Sequence, residues 1–336
     1  MLELKKEEFI YNDRVPQNIY RVIGDADIAK YGESFLVDDF WSEERYRVQV
    51  LHYYPMDKKE SSKWMQWQLE AIFEGIFLGG PFIWPSDFLY NEGKADEKDS
   101  VVLFFCEKQY ASLGRWNMKT KTQRENLIIL KKIALALRDL HHGKMTLNGI
   151  HPSQVWIQDE EVKIQVGPNC SRERKQRLKY ISEDARGVYR EKIYGIPEYC
   201  CWERLPSLLH DNFLYSVCND IYAIATLFFE ILFGIHPLDG ELCDGQQDED
   251  GKAEIYNRYP CFIFDEKRKR NQVIGLDFEE KERLVQSWNQ VEISLRNLFH
   301  ELYEFPNINL DKIVEEATKR KCFQLDAWVE QIENYL

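Results

Sequence analysis

The chain is 336 residues long, 44% hydrophobic and 14% aromatic, which is enough apolar material to bury a core and too much for a disordered tail. With 44 basic against 57 acidic residues it carries a net charge of −13, which argues against nucleic acid and anionic membrane as partners. No run is long enough to span a membrane; the longest apolar run, Ile221–Phe233, contains Glu230 and reads as a buried core helix. Eight cysteines without a C-x-x-C spacing speak against a zinc centre, and no metal is expected; dispersed thiols fit a reducing, cytoplasmic compartment. Met1–Phe9 mixes charges and lacks the apolar stretch of a signal peptide.

In chain order, Glu33–Phe40 and Tyr46–Tyr54 read as strands joined by the polar turn Trp41–Arg45. Arg47-Val48-Gln49-Val50-Leu51 has the two-residue alternation of a half-buried strand. A helix is expected over Ser61–Leu78, capped by Ser61 or Ser62 and ended by Gly79-Gly80-Pro81. Phe88–Tyr90 and Val101–Cys106 read as two more strands around a charged hairpin loop, Asn91–Asp99. Together these make a small first lobe, residues 1–108, of about five strands and one helix.

From residue 109 the pattern turns helical. Thr122–His141 places Leu127, Leu130, Ile133, Ala134 and Leu137 on one stripe. Val155–Ile157 and Val162–Ile164 form a short hairpin around Asp159-Glu160, and Arg172–Glu191, mixed in charge, reads as a surface loop. Asp220–Phe233 is the buried helix, Glu241–Lys252 an acidic insertion, and Val285–Phe299, Leu310–Lys319 and Leu325–Tyr335 are expected helices. The class is α+β.

Three stretches carry a resemblance. Leu140–Gly167, LHHGKMTLNGIHPSQVWIQDEEVKIQVG, resembles the catalytic loop of protein kinases and the strands after it, without gaps. Gly195–Leu205, GIPEYCCWERL, looks like the end of a kinase activation segment, with Trp202 beside Glu203, which falls at its structural glutamate. Asn219–Pro237, NDIYAIATLFFEILFGIHP, resembles the long buried helix of the large kinase lobe. They occur in the right order and at the right separations, and the resemblance extends over roughly Ile19–Leu336. It implies a bilobal kinase-like fold with Tyr46–Leu51 as the strand of the ATP-pairing lysine, Glu70 near that lysine's glutamate partner, and Phe104–Gln109 as the hinge, including Cys106, Glu107, Lys108 and Gln109. It also implies that Asp220 hydrogen-bonds the backbone of the catalytic loop. The later segment Tyr259–Asn271, with Trp288 and Leu295–Phe299, resembles bacterial kinase-like proteins linked to tellurium resistance, which travel with von Willebrand-type (VWA) domains and PP2C-type phosphatases.

The same alignment shows what phosphoryl transfer would lack. Gln49 stands where a lysine holds the phosphates. Gly149 stands where an aspartate accepts the substrate proton, and His151 where a lysine follows it. Gln154 replaces the asparagine, and Val166 the aspartate, that bind magnesium; valine offers no oxygen ligand. In the segment of the glycine-rich loop, DIAKYGESF, Asp27 and Ala29 replace glycines and only Gly32 remains. His151 has no acid–base partner in its neighbourhood, and Glu70 without a lysine either bonds Gln49 or faces solvent.

The resemblance therefore implies a catalytically inactive pseudokinase, no enzyme in the sense that its catalytic residues are replaced, acting as a protein-interaction scaffold or regulator. No cofactor is expected, ATP binding without catalysis staying open through the hinge backbone. Two alternatives remain open: a nucleotide sensor, and an atypical nucleotide-dependent transferase drawing on Gln154, Glu70 and Asp27. The basic run Arg172, Arg174, Lys175, Arg177 and Lys179 is either a solvated loop or a docking patch for an acidic or phosphorylated partner. Partners implied are another protein, such as a kinase, a PP2C-type phosphatase or a VWA-domain protein.

Overall fold

The computed structural model describes residues 6–11, 19–24, 27–29, 32–42, 44–53, 80–91, 99–147, 149–166, 170–172, 178–179, 212–213, 217–243, 252, 255–256, 261–265, 271, 278–303 and 320–336. The fold is α+β: antiparallel sheet dominates early in the chain and helices dominate later. Two compact units divide it. One takes in Met1–Trp116, Pro152–Ser171 and Ile181–Tyr194; the other takes in Asn117–His151, Arg172–Tyr180 and Gly195–Leu336.

The first unit is built on strands β1 (Phe9–Tyr11), β2 (Ile19–Val22), β3 (Asp27–Ala29), β4 (Gly32–Asp39), β5 (Arg45–Tyr53), β6 (Phe82–Ile83), β7 (Asp87–Asn91), β8 (Asp99–Cys106), β9 (Gly114–Arg115), β10 (Val155–Gln158) and β11 (Glu161–Gln165). Seven of them form the main sheet in the order β1-β2-β4-β5-β8-β7, with β3 paired to β4. The sheet thus has two strands more than the five the sequence reading expects. The additional short strands β1 and β2 contribute one or two buried residues each, too few to show a period, and β3 falls in the segment read as a phosphate loop. Alternation along the sheet buries Ile10, Tyr20, Val22, Phe35, Val37, Val48, Val102 and Phe104 in one cluster. On the opposite face of β1, Phe9 and Tyr11 are exposed. They meet Phe40 and Trp41 in a run of ring contacts, Phe9 to Phe40 at 5.8 Å and Phe40 to Trp41 at 5.0 Å, and Trp41 is 69% exposed.

A second sheet of the same unit runs β6-β11-β10-β9. The hairpin β10–β11 has the expected place and register, Val155 opposite Ile164 and Gln158 opposite Glu161. Its turn residue Asp159 adopts φ +51°, which a short acidic side chain tolerates and a β-branched one does not. Strand β11 runs parallel to β6, so the hairpin packs with the first unit, although 35 residues that fall in the other unit precede it.

The second unit begins with α1 (Gln123–His142). Thr122 and Glu125 form a reciprocal cap: the Glu125 amide donates to Thr122 Oγ1 at 3.2 Å, and the Thr122 amide donates to Glu125 Oε2 at 2.8 Å. The Thr122 hydroxyl, which also donates to Glu125 Oε2 at 2.7 Å, and then the Thr122 amide hold the Glu125 carboxyl below its usual range. Thr122→Ala is expected to destabilise the protein by about 1 kcal/mol, read from urea unfolding, while Thr122→Ser is expected to stay within a few tenths. Beyond α1 come α2 (Val217–Phe233), α3 (Phe278–Gln290), α4 (Ile293–Tyr303) and α5 (Leu325–Asn334). Helix α2 is buried all round from Cys218 to Phe229, as a core helix should be. It packs with α1 and α5, and Arg124 at the start of α1 donates to the Leu336 carbonyl at 2.7 Å. Phe229 of α2 meets Phe262, Trp288 and Phe299, the last edge-on at 5.2 Å.

The single helix expected over Val285–Phe299 is two. The break falls at Val291-Glu292, where the Val291 amide turns back to the Trp288 carbonyl and a new helix starts at Ile293. Neither glycine nor proline marks it. The helices expected over Ser61–Leu78 and Leu310–Lys319 lie outside the described residues. Among the described residues no helix is long and apolar enough to cross a membrane.

Candidate functional site

In the second unit the loop after α1 is tied to one side chain. Asp220, in the first turn of α2 and fully buried, accepts four hydrogen bonds. His141 Nε2 donates at 2.8 Å, Thr146 Oγ1 at 2.9 Å and the Leu147 amide at 3.0 Å, all to Oδ2; the Gly149 amide donates at 2.8 Å to Oδ1. A buried carboxylate needs several donors to offset the loss of water, and these four supply them. The bonds to Leu147 and Gly149 are backbone bonds to the loop that the kinase resemblance aligns with the catalytic loop. Met145, Thr146, Leu147 and Ile150 are buried around them.

Gly149 stands at φ +107°. Only glycine adopts that region without strain, so an aspartate at this position would have to distort the loop that Asp220 holds. His151 is partly buried two residues further on, in the same unit. Gln154 and Val166 belong to the other unit. Gln154 is buried in the turn before β10. Val166 follows β11, is fully buried, and donates its amide to the Ile83 carbonyl at 3.0 Å.

The remaining sequence candidates of the first unit lie on its main sheet. Asp27 and Ala29 are on β3 and Gly32 opens β4; the pair forms a tight hairpin with Asp27 opposite Ser34 and Ala29 opposite Gly32. Gln49 is on β5, opposite Ser34 on one side and Leu103 on the other. Cys106 ends β8, and Glu107–Gln109 form one turn of 3-10 helix. Within that turn Lys108 and Gln109 are exposed, Lys108 pairing with Glu44 at 2.7 Å on the surface, a contact worth little in water.

Glu107 is different. Its carboxylate takes two bonds from Arg47 on β5, Nε to Oε2 at 2.6 Å and Nη2 to Oε1 at 3.0 Å. The guanidinium lies 5.3 Å from the ring centroids of both Tyr110 and Trp156, whose rings meet at 4.6 Å, nearly edge to face. Arg115 lies over Trp156 as well, at 5.2 Å. Burial pushes the Tyr110 hydroxyl well above its usual range. The sequence reading placed Arg47 on a strand and Trp156 in a hairpin without giving either a role. The signal that could have found the pair is charge complementarity between Arg47, two residues before Gln49, and Glu107, the first residue of the hinge turn.

Glu70, Trp202, Glu203, Arg174, Lys175 and Arg177 lie outside the described residues, and of Arg172 only the backbone, in the short strand Ser171–Arg172, is described. Among the described residues no group of three or more His, Cys, Asp or Glu is placed to hold a metal ion. No known family model matches the chain. No curated protein matches it either.

Proposed function

We propose that this chain is a catalytically inactive protein of bilobal, kinase-like architecture, a pseudokinase that acts by binding other proteins. The observation that carries the reading is Val166. At the position aligned with the metal-gripping aspartate the chain puts a fully buried aliphatic side chain whose backbone is bonded into β6. Hard cations need oxygen ligands, and a valine side chain has none to give. Gly149, at a backbone angle that disfavours aspartate, supports the same reading from the other unit. Asp220 supports the architectural half: its bonds maintain a loop that no longer carries the chemistry. The binding half is supported by the exposed aromatic face Phe9, Tyr11, Phe40 and Trp41, because contiguous exposed rings are what interaction surfaces carry. The partner classes are a kinase, a PP2C-type phosphatase or a VWA-domain protein, with the basic run Arg172–Lys179 fitting an acidic or phosphorylated segment.

Thermal unfolding with millimolar ATP and Mg²⁺, Mn²⁺ or EDTA tests this. The expected result is an unchanged midpoint in every condition. A ligand at a hundred times its dissociation constant adds about 2.7 kcal/mol, which such a scan reads easily. A metal-dependent rise would sink the reading in favour of a nucleotide-dependent transferase, and a metal-independent rise would replace it with a nucleotide sensor.

A further inference from the structure

The hinge turn already has an occupant. A guanidinium is a flat, delocalised cation that stacks on aromatic faces much as a nucleobase does. Arg47 presents one to the Tyr110 and Trp156 rings at 5.3 Å from each, fixed by two bonds to Glu107 in the hinge turn itself. The ion pair is partly shielded, the two side chains being 32% and 24% exposed, so the charge-assisted bonds are screened less than those of a surface pair. Tyr110 Oη and Trp156 Nε1 are out of solvent and have no hydrogen-bond partner among the described residues. The guanidinium, which has only donors, cannot accept from Trp156 Nε1. A flat heteroaromatic ring could take the place of the guanidinium against these rings.

We propose that Arg47 is a built-in occupant of a purine-stacking site at the hinge, with Glu107 as its latch, and that it keeps a planar base off the Tyr110–Trp156 platform. The proposal rests on the kinase-like reading above, which places the hinge at Cys106–Gln109. A purine entering this site must displace the guanidinium and leave the Glu107 carboxylate without its two donors. With Arg47 shortened to alanine, the ring faces it covers are free for the base.

The test is titration with 2-aminopurine riboside, whose fluorescence is quenched when it stacks on an aromatic ring, with circular dichroism to check that each variant is folded. The native protein is expected to give no saturable quenching up to about 1 mM, and Arg47→Ala to bind at least about tenfold more tightly than that bound, with unlabelled adenosine competing. Glu107→Gln keeps the size of the latch and removes its charge. It is expected to show weaker but saturable binding and decides the matter where Arg47→Ala does not fold. A folded Arg47→Ala that binds no better than the native protein overturns the occupant, and so does a silent Glu107→Gln; both leave the pseudokinase reading standing. Saturable binding to the native protein overturns the occupant and the nucleotide-free reading together.

Discussion

Asp220→Ala is expected to remove about 3–5 kcal/mol of folding stability, the cost of breaking a buried charged cluster from one side. The substitution deletes the shared acceptor of His141, Thr146, Leu147 and Gly149 and leaves their donors facing a space with no acceptor. Each stranded buried donor costs about 1–3 kcal/mol, and solvent entering the space recovers part of that sum. Asp220→Asn is the sharper variant. It has nearly the same shape but keeps one acceptor oxygen, and its NH₂ group confronts at least one N–H or O–H donor. It is expected to lose nearly as much as alanine, which a loss of packing volume alone would not produce. Thr146→Val removes one donor without stranding the others and is expected to cost about 1 kcal/mol. Urea unfolding followed by tryptophan fluorescence measures all three. A loss below about 1 kcal/mol for Asp220→Ala would show that the loop is held by its buried apolar residues instead of this carboxylate.

What was legible in the sequence follows from how local its cause is. Helix α1 could be read because its apolar stripe lies within one segment. The hairpin β10–β11 could be read because alternation flanks a two-residue acidic turn, and α2 because an unbroken apolar run has only a core to go to. Asp220 came from the resemblance and not from any local pattern, since its four partners lie 71 to 79 residues away. Arg47 had no such help. Its strand was plain, but Glu107 is 60 residues on, and alternation says which face a side chain leaves by without saying what it meets. The short strands β1 and β2 were illegible for a related reason: three or four residues gain order only from their neighbours, β1 from β2 and β2 from β4. The break between α3 and α4 has no glycine or proline to mark it, so periodicity alone runs through it.

Restoring a metal ligand is the strongest challenge to the inactive reading, and Val166→Asp does so at the aligned position. The substitution places a carboxylate in a site with no exposure, beside a backbone amide already committed to Ile83. Charging a group there costs several kcal/mol, so at pH 7 the variant is expected to be about 3 kcal/mol or more less stable than the native protein. The pH dependence identifies the cause. Burial raises the carboxyl's folded pKa above its unfolded value of about 3.9. Below that value both states are protonated and the deficit is smallest. Between the unfolded and folded pKa the unfolded state alone ionises, so the deficit against the native protein grows with rising pH by about 1.4 kcal/mol per unit; above the folded pKa it levels off. Urea unfolding of both proteins at several pH values between 4.5 and 8, a range chosen to bracket about that rise, reads the slope directly. A deficit that does not change with pH would mean that the carboxylate reaches water and that the site is not closed. Repeating the series in millimolar Mg²⁺ then separates closure from competence. No change is expected, since among the described residues no cluster of carboxylates stands ready to share the ion. If Mg²⁺ instead restored the lost stability, one substitution would have built a cation site, and the proposed inactivity would hang at this position on a single side chain instead of on the packing around it.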